Sequence, residues 1–313
     1  MGLFIAGVAL LLLVLTPGEA WAWGPATHVY LGTALLDSLH LVPEGVRALL
    51  AAYPRDFLYG SVAADISLAK KYVPEGRHCH HWHIGEEIHA GAQSDRLRAV
   101  GLGYLAHLAA DTIAHNFYVP RQLLLTSSTK GLGHSYWEHR MDIQLGERYT
   151  TVARDVVMKH DHAEADALFD SVLSSTLFSF RTNRRIFRGM IRFQDSDRWH
   201  TVFGTILENS RWTLSDAIIR SYVELSFDYV VDYLNRRGES IAAGLDPIGD
   251  VNLGLAKKIR REALRTGSLH KPKMLHRMAN QHFALPDAPY RLWERRNTEK
   301  NDRFGDHHDE QRP

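Results

Sequence analysis

Residues 97–117 are apolar enough to be buried on every side, yet they carry His107, Asp111 and His115. The three polar residues recur every fourth position, and at roughly 100° per residue they share one side of a helix. A helix that is apolar all round belongs inside a fold rather than on its surface. Its polar stripe therefore faces inward as well. Two imidazoles and a carboxylate in an apolar interior are costly unless something satisfies them. A hydrogen-bonded His-Asp-His network does so. A metal ion does so too, because neutral imidazole nitrogen and carboxylate oxygen suit zinc.

The chain around this segment reads as helix nearly throughout. Apolar spacing predicts helices over 26–39, 43–53, 132–149, 163–177, 183–193 and 213–237, with Pro43 in a first turn and Pro120 ending the central one. Thr213 and Asp216 are spaced as a capping box, and Gly238 stands where a C-terminal stop belongs. No alternating run is long enough for a sheet, and there is no internal repeat. Of 313 residues, 45% are apolar and 23% charged, as in globular chains. The expected fold class is all-α: a single multi-helix domain over 23–268, built around a buried metal cluster. A signal peptide over 1–22 precedes it. A charged, partly disordered tail over 269–313 follows, where the helical pattern fades. Lys plus Arg is 37 against 36 Asp plus Glu, so overall charge does not point to nucleic acid. The single cysteine, Cys79, excludes an intrachain disulfide and a Cys-only zinc site.

The N-terminus matters chemically. The apolar run 4–15 is short for a bilayer span, Thr16-Pro17-Gly18-Glu19 breaks it, and Ala20-Trp21-Ala22 has the small-x-small form of a cleavage site. Cleavage after Ala22 would export the chain to the periplasm or beyond, with Trp23 first; an uncleaved membrane anchor is the alternative. A free α-amine, with a pKa of about 8, can lose its proton to a metal at little cost. The Trp23 amine and carbonyl could close a small chelate ring, and His28 could add a nitrogen.

Histidine is the outlier in composition, at 19 residues, nine of them between His78 and His139. Arg77-His78-Cys79-His80-His81-Trp82-His83 is either a surface loop or a ligand source, with His80, His81 and His83 all open. His134 and Glu138 lie one turn apart, on a ligating face or on a solvated one beside His139 and Asp142. Asp65 ends the small apolar run 60–66, and Asp56 competes with it as a candidate acid.

Taken in order, Trp-x-x-x-x-His, a central Asp, a His, His-x-x-x-Asp with a further His, then His-x-x-x-Glu resembles the zinc-dependent phospholipase C family. It also resembles the related single-strand-specific zinc nucleases. The resemblance implies an all-helical fold holding Zn2+, three ions in all. It implies that the Trp23 amine and carbonyl hold one ion with His28. Asp111 would bridge that ion to a second, completed by Asp65, His107 and one histidine of the cluster. His81 is favoured there because an aromatic residue, Trp82, follows it. His115, His134 and Glu138 would hold the third. Asp65 and Asp111 would be the catalytic pair. From Asp111 to His115 the chain is two residues shorter than in the secreted phospholipases and nucleases. In this it is more similar to a bacterial phospholipase C/D-type branch.

The implied function is an exported zinc-dependent phosphodiester hydrolase, in which metal-activated water attacks a phospholipid phosphodiester. A single-strand zinc nuclease and a non-catalytic, metal-stabilised scaffold are the alternatives. Expected partners are a phospholipid or other phosphodiester substrate and a membrane surface. Nucleic acid enters only under the nuclease alternative, and no protein partner is inferred. The basic stretch 257–277 could meet anionic head groups, meet nucleic-acid phosphates, or be a solvated helix face.

Overall fold

The computed structural model describes residues 23–292, apart from 69, 127–130, 211, 213, 268–271, 287 and 289. The expected signal segment and residues 293–313 of the expected tail lie outside the described residues. The helices run in the order α1 (Pro25–Leu36), α2 (Glu44–Ala52), α3 (Pro54–Ala63), α4 (Trp82–Ala90), α5 (Asp95–Ile113), α6 (Val119–Leu125) and α7 (Gly131–Leu145). There follow α8 (Glu147–Lys159), α9 (Ala163–Val172), α10 (Phe180–Gln194), α11 (Asp197–Glu208), α12 (Asp216–Arg236), α13 (Asp250–Arg265) and α14 (Pro272–His282). Among the described residues there is no strand, and no helix is long and apolar enough to cross a membrane.

α5 is the axis of the fold. It starts at Ser94, whose side chain accepts from the Leu97 amide, and every residue from Ala99 to Ile113 is buried. α1, α3, α4 and α12 pack around it. The approach of α3 is unusually close. A Cβ on Gly60 would stand 2.0 Å from the Val100 carbonyl oxygen, and one on Gly103 would stand 2.0 Å from that of Phe57. Two facing glycines thus let the backbones touch, which brings the end of α3, and Asp65 just beyond it, onto α5.

Pro120 does not end the central helical run. Ala114–Tyr118 form a π-turn, and Pro120 sits in the first turn of α6, where its missing N–H is harmless. In an unbroken helix the amide of residue 120 would have bonded the Asn116 carbonyl. That oxygen instead accepts from Asn252 Nδ2 on α13, at 3.1 Å.

Other boundaries differ for local reasons. Pro43 caps α2 from outside rather than entering it, and Gly146, at φ 100°, divides the expected 132–149 helix into α7 and α8. Ser215 caps α12, its side chain accepting from the Ile218 amide. Arg237, at φ 51°, takes the terminal position expected of Gly238, while Thr213 lies outside the described residues.

The helical pattern also continues past residue 269. In α14 Leu275 and Ala279 lie four apart, and Phe283 extends the stripe. All three are buried against Leu124 of α6 and Ala256, Ile259 and Ala263 of α13. A stripe this thin inside a basic stretch has little apolar periodicity to read, and only the partners on α6 and α13 reveal it.

Candidate metal centre

Four segments converge on the buried stripe of α5. From α5 itself, His107 Nδ1 lies 2.9 Å from the Ser61 carbonyl oxygen, which can only accept. The ring proton is therefore on Nδ1, and Nε2 is left with a lone pair facing inward. His115 stands in the π-turn, which re-aims it relative to a continuous helix. Its Nδ1 donates to the Pro247 carbonyl, so its Nε2 is likewise left as an acceptor. Gly249, at φ 69°, makes this contact feasible: a Cβ there would lie 2.5 Å from His115 Cβ.

The loop before α4 brings His80. Tyr104 of α5 donates to the Cys79 carbonyl at 2.7 Å, and Cys79 Sγ contacts both the Ala64 carbonyl and His80 Nδ1. The thiol donates to Ala64 and accepts from Nδ1–H, which again leaves Nε2 pointing inward. His80 Nε2 lies 3.1 Å from Asp111 Oδ2, 3.5 Å from Asp65 Oδ1 and 3.2 Å from His107 Nε2. His107 Nε2 is 3.1 Å from the same Asp111 oxygen.

His28, on α1, stacks on His107 with ring centroids 3.8 Å apart, and its Nε2 is 3.3 Å from the other Asp111 oxygen. Asp142 of α7 holds this segment in register. It accepts from the Ala26 and Thr27 amides and from the Thr27 hydroxyl, at 3.2, 2.9 and 2.6 Å. Trp23 is fully buried, its Nε1 donating to the Ala110 carbonyl and its ring lying 4.9 Å from Tyr118. That anchors residue 23 beside Asp111. On α7, His134 Nε2 lies 3.0 Å from Glu138 Oε1, and the His134 ring is 5.6 Å from that of His115.

Of the nine residues expected at the site, eight are thus brought together, His80 standing in for the ninth. His81 lies apart: it caps α4, is half-buried, and stacks on His83. Trp82, whose position favoured His81, points away from the centre, stacking on Tyr233 and donating to the Leu245 carbonyl. Of the competing acids, Asp65 is in the cluster. Asp56 is elsewhere, in the first turn of α3, accepting from Arg96 at 2.7 Å and lying 3.1 Å from His160. His160 and His162 could make a second donor set with Asp56, but the Arg96 guanidinium already fills that position.

Sequence reasoning missed Lys70 altogether. It is only 1% exposed, and its Nζ lies 2.9 Å from Asp65 Oδ1. No apolar periodicity marks a buried lysine that opens a single 3-10 turn, Lys70–Tyr72, and nothing in Leu68-Ala69-Lys70-Lys71 distinguishes it from its neighbour.

The electrostatics call for cations. Burial opposes ionisation of Asp65 and Asp111. Lys70 and His107 overcome it at Asp65, and His107 and His28 at Asp111, so both carboxyls are held well below the usual range. Burial lowers the pKa of His28, and that of His115 to about 4, so both rings are neutral near pH 7. Burial, with Asp65 and Asp111 nearby, pushes Glu138 up. At His80, burial and Lys70 oppose a charge, but Cys79, Asp111 and Asp65 outweigh them. The centre thus draws a proton onto one imidazole for want of another positive charge.

The donor atoms fit a metal. His28 Nε2, Asp65 Oδ2, both Asp111 oxygens, His115 Nε2 and Glu138 Oε1 are buried, and none has a hydrogen-bond partner among the described residues. Orphaned buried acceptors are expensive, and a set of imidazole nitrogens and carboxylate oxygens is what zinc takes. His28, His107 and Asp111 form one compact donor set, and Asp65, His80 and His107 form another.

No curated protein and no solved structure matches the chain. The zinc dependent phospholipase C family model matches residues 27–183, about half of the sequence. The matched segment contains every residue of the centre except Trp23, whose indole anchors the segment leading into α1 beside Asp111. On that match, the chain belongs to the zinc dependent phospholipase C family.

Proposed function

We propose that this protein is an exported phosphodiester hydrolase of the phospholipase C type, working with three zinc ions. The observation that carries it is the set of orphaned acceptors from α1, α5, α7 and the 65–80 segment, closing on one buried volume. His28, with the amine and carbonyl of a Trp23 freed by cleavage after Ala22, would hold one ion. Asp111 would give one oxygen to that ion and one to a second, held also by Asp65, His80 and His107. His115, His134 and Glu138 would hold the third. His80 takes the role expected of His81.

Zinc in such a site supplies Lewis acidity, which makes water acidic enough to attack near neutral pH and offsets the phosphodiester's charge. The chain's own groups do the rest. Ser61 and Pro247 keep His107 and His115 in the tautomer that presents Nε2. Lys70 holds Asp65 by Oδ1 and leaves Oδ2 for the ion and for orienting the attacking water. Asp65 is ionised and thus in the form that accepts. The phospholipid reading follows the family. A nuclease would need aromatic faces to stack bases, and Trp82 and Trp137 are spent on packing.

The test joins metal analysis and N-terminal sequencing of the exported protein with assays on phosphatidylcholine and single-stranded DNA. Zinc, Trp23 at the N-terminus and lipid hydrolysis are expected. Asp111→Asn should lose zinc and at least about a hundredfold in activity, as loss of a ligand that serves two ions implies. Full zinc content in that variant would remove the bridging role. DNA cleavage without lipid hydrolysis would replace the substrate.

A further inference from the structure

The metal centre uses the start of α13 and leaves its outer face unexplained. The helix begins at the centre, with Gly249 against His115 and Asn252 bonded to Asn116. Its inner face, at Leu253, Ala256, Ile259, Arg260 and Ala263, is buried. The opposite arc carries Lys257, Lys258, Arg261 and Arg265, all exposed. Two large aliphatics flank that arc, about 140° apart around the axis: Val251 is 79% exposed and Leu264 is 59% exposed. They stand thirteen positions apart, about 20 Å along the axis, with the cations between. Glu262 is the acid beside them, and it pairs with Arg265.

Exposed cations alone are ordinary. Single exposed aliphatics are ordinary too; what sets this helix apart is that two of them, with Val251 the most exposed large apolar side chain among the described residues, bracket its cations. A phosphate-bearing polymer would use the charges but not the aliphatics, and the arc offers no aromatic residue on which a base could stack. An anionic lipid surface uses both: head groups meet the lysines and arginines, and Val251 and Leu264 enter the acyl boundary. The arc also starts where the reaction would occur, one turn from the His115 contact. Of the two acids at that end, Asp246 is engaged in the 246–250 turn, where its side chain accepts from the Ile248 and Asp250 amides, while the Asp250 side chain is exposed.

We propose that the outer face of α13, from Val251 to Leu264, docks the protein on anionic phospholipid bilayers and sets the metal centre over the membrane surface. This deepens the phospholipase reading and rests on it for the purpose of docking, but not for the docking itself.

The experiment is co-sedimentation with vesicles of phosphatidylcholine alone and with about one part in three phosphatidylglycerol, using the intact protein. Binding should favour the anionic vesicles by about tenfold or more and should weaken toward about 1 M salt, where the Debye length is about 3 Å. Lys258→Glu with Arg261→Glu should cut binding about tenfold or more, since each cation near such a surface contributes about fivefold. Val251→Ser with Leu264→Ser should weaken binding at every salt concentration. Both pairs are exposed, so melting temperature and hydrolysis of a soluble short-chain phosphodiester should not change. As a control, Arg185→Glu with Arg192→Glu reverses charge on α10, another basic helix, and should leave binding intact. Retention of binding by the α13 variants, or loss of it in the α10 variant, would overturn the proposal, as would tighter binding to single-stranded DNA than to the vesicles. Vesicle binding without any hydrolysis would keep the proposal and remove the phospholipase reading instead.

Discussion

Lys70 has lost nearly all contact with water, and a buried ammonium needs strong compensation. Asp65 supplies it at 2.9 Å, and Lys70 in turn helps keep Asp65 ionised beside a second carboxylate. Removing one partner of a buried pair typically costs about 3–5 kcal/mol, because the other charge is left uncompensated. Lys70→Met should therefore destabilise the metal-free protein by about that much. With zinc present a second source of positive charge faces Asp65, so the loss should shrink. Thermal melting with chelator and with excess zinc measures both. An equal loss in the two conditions would place the pair outside the centre.

At the level of elements, the helices with strong apolar stripes were readable in the chain, as were the residues of the centre that lie on them. Four-residue spacing marks His107, Asp111, His134 and Glu138 as candidates, and only their order along the chain, through the family resemblance, joins them into one site. What escaped depends on contacts between segments. His80 rather than His81 is buried because the Cys79 thiol and carbonyl are tied to Ala64 and Tyr104. Pro120 follows a π-turn because Asn252, 132 residues later, satisfies the carbonyl it frees. The α3–α5 contact is of the same kind: two glycines are unremarkable in sequence and decisive in space. A methyl at Gly103 would overlap the Phe57 carbonyl, and backbone cannot swing aside as a side-chain tip can. Gly103→Ala should cost about 3 kcal/mol in urea unfolding, at the upper end of overpacking penalties. It should also weaken zinc retention, since parting α3 from α5 moves Asp65 and the Ser61 carbonyl away from His107. A destabilised variant that kept full zinc affinity would show that the close approach serves packing alone.

For the molecule as a whole, acid is the natural stress, because burial has suppressed protonation at several histidines. His139, packed against Trp199 and Phe203, has its pKa lowered to about 4 by burial, from an ordinary 6.5. His162, stacked on Tyr59, is lowered to about 4 as well, chiefly by burial. The unfolded chain thus takes up protons near pH 6.5 that the folded chain refuses until about pH 4. Stability is fully present above 6.5 and falls as pH drops through that window, by at most about 1.4 kcal/mol per pH unit for each such group. His139→Gln should flatten its share of the slope and leave the rest. Zinc adds a second acid dependence. As the proposed ligands, His28 and His115 would bind metal only when neutral, and Glu138 would have to shed its proton, so metal affinity should decline as pH falls. Melting temperatures from pH 7 to 4.5 should then fall more steeply with zinc than with chelator, the two curves converging at the acid end. Parallel curves would mean that zinc is not held by titrating ligands, and the centre described above would be wrong.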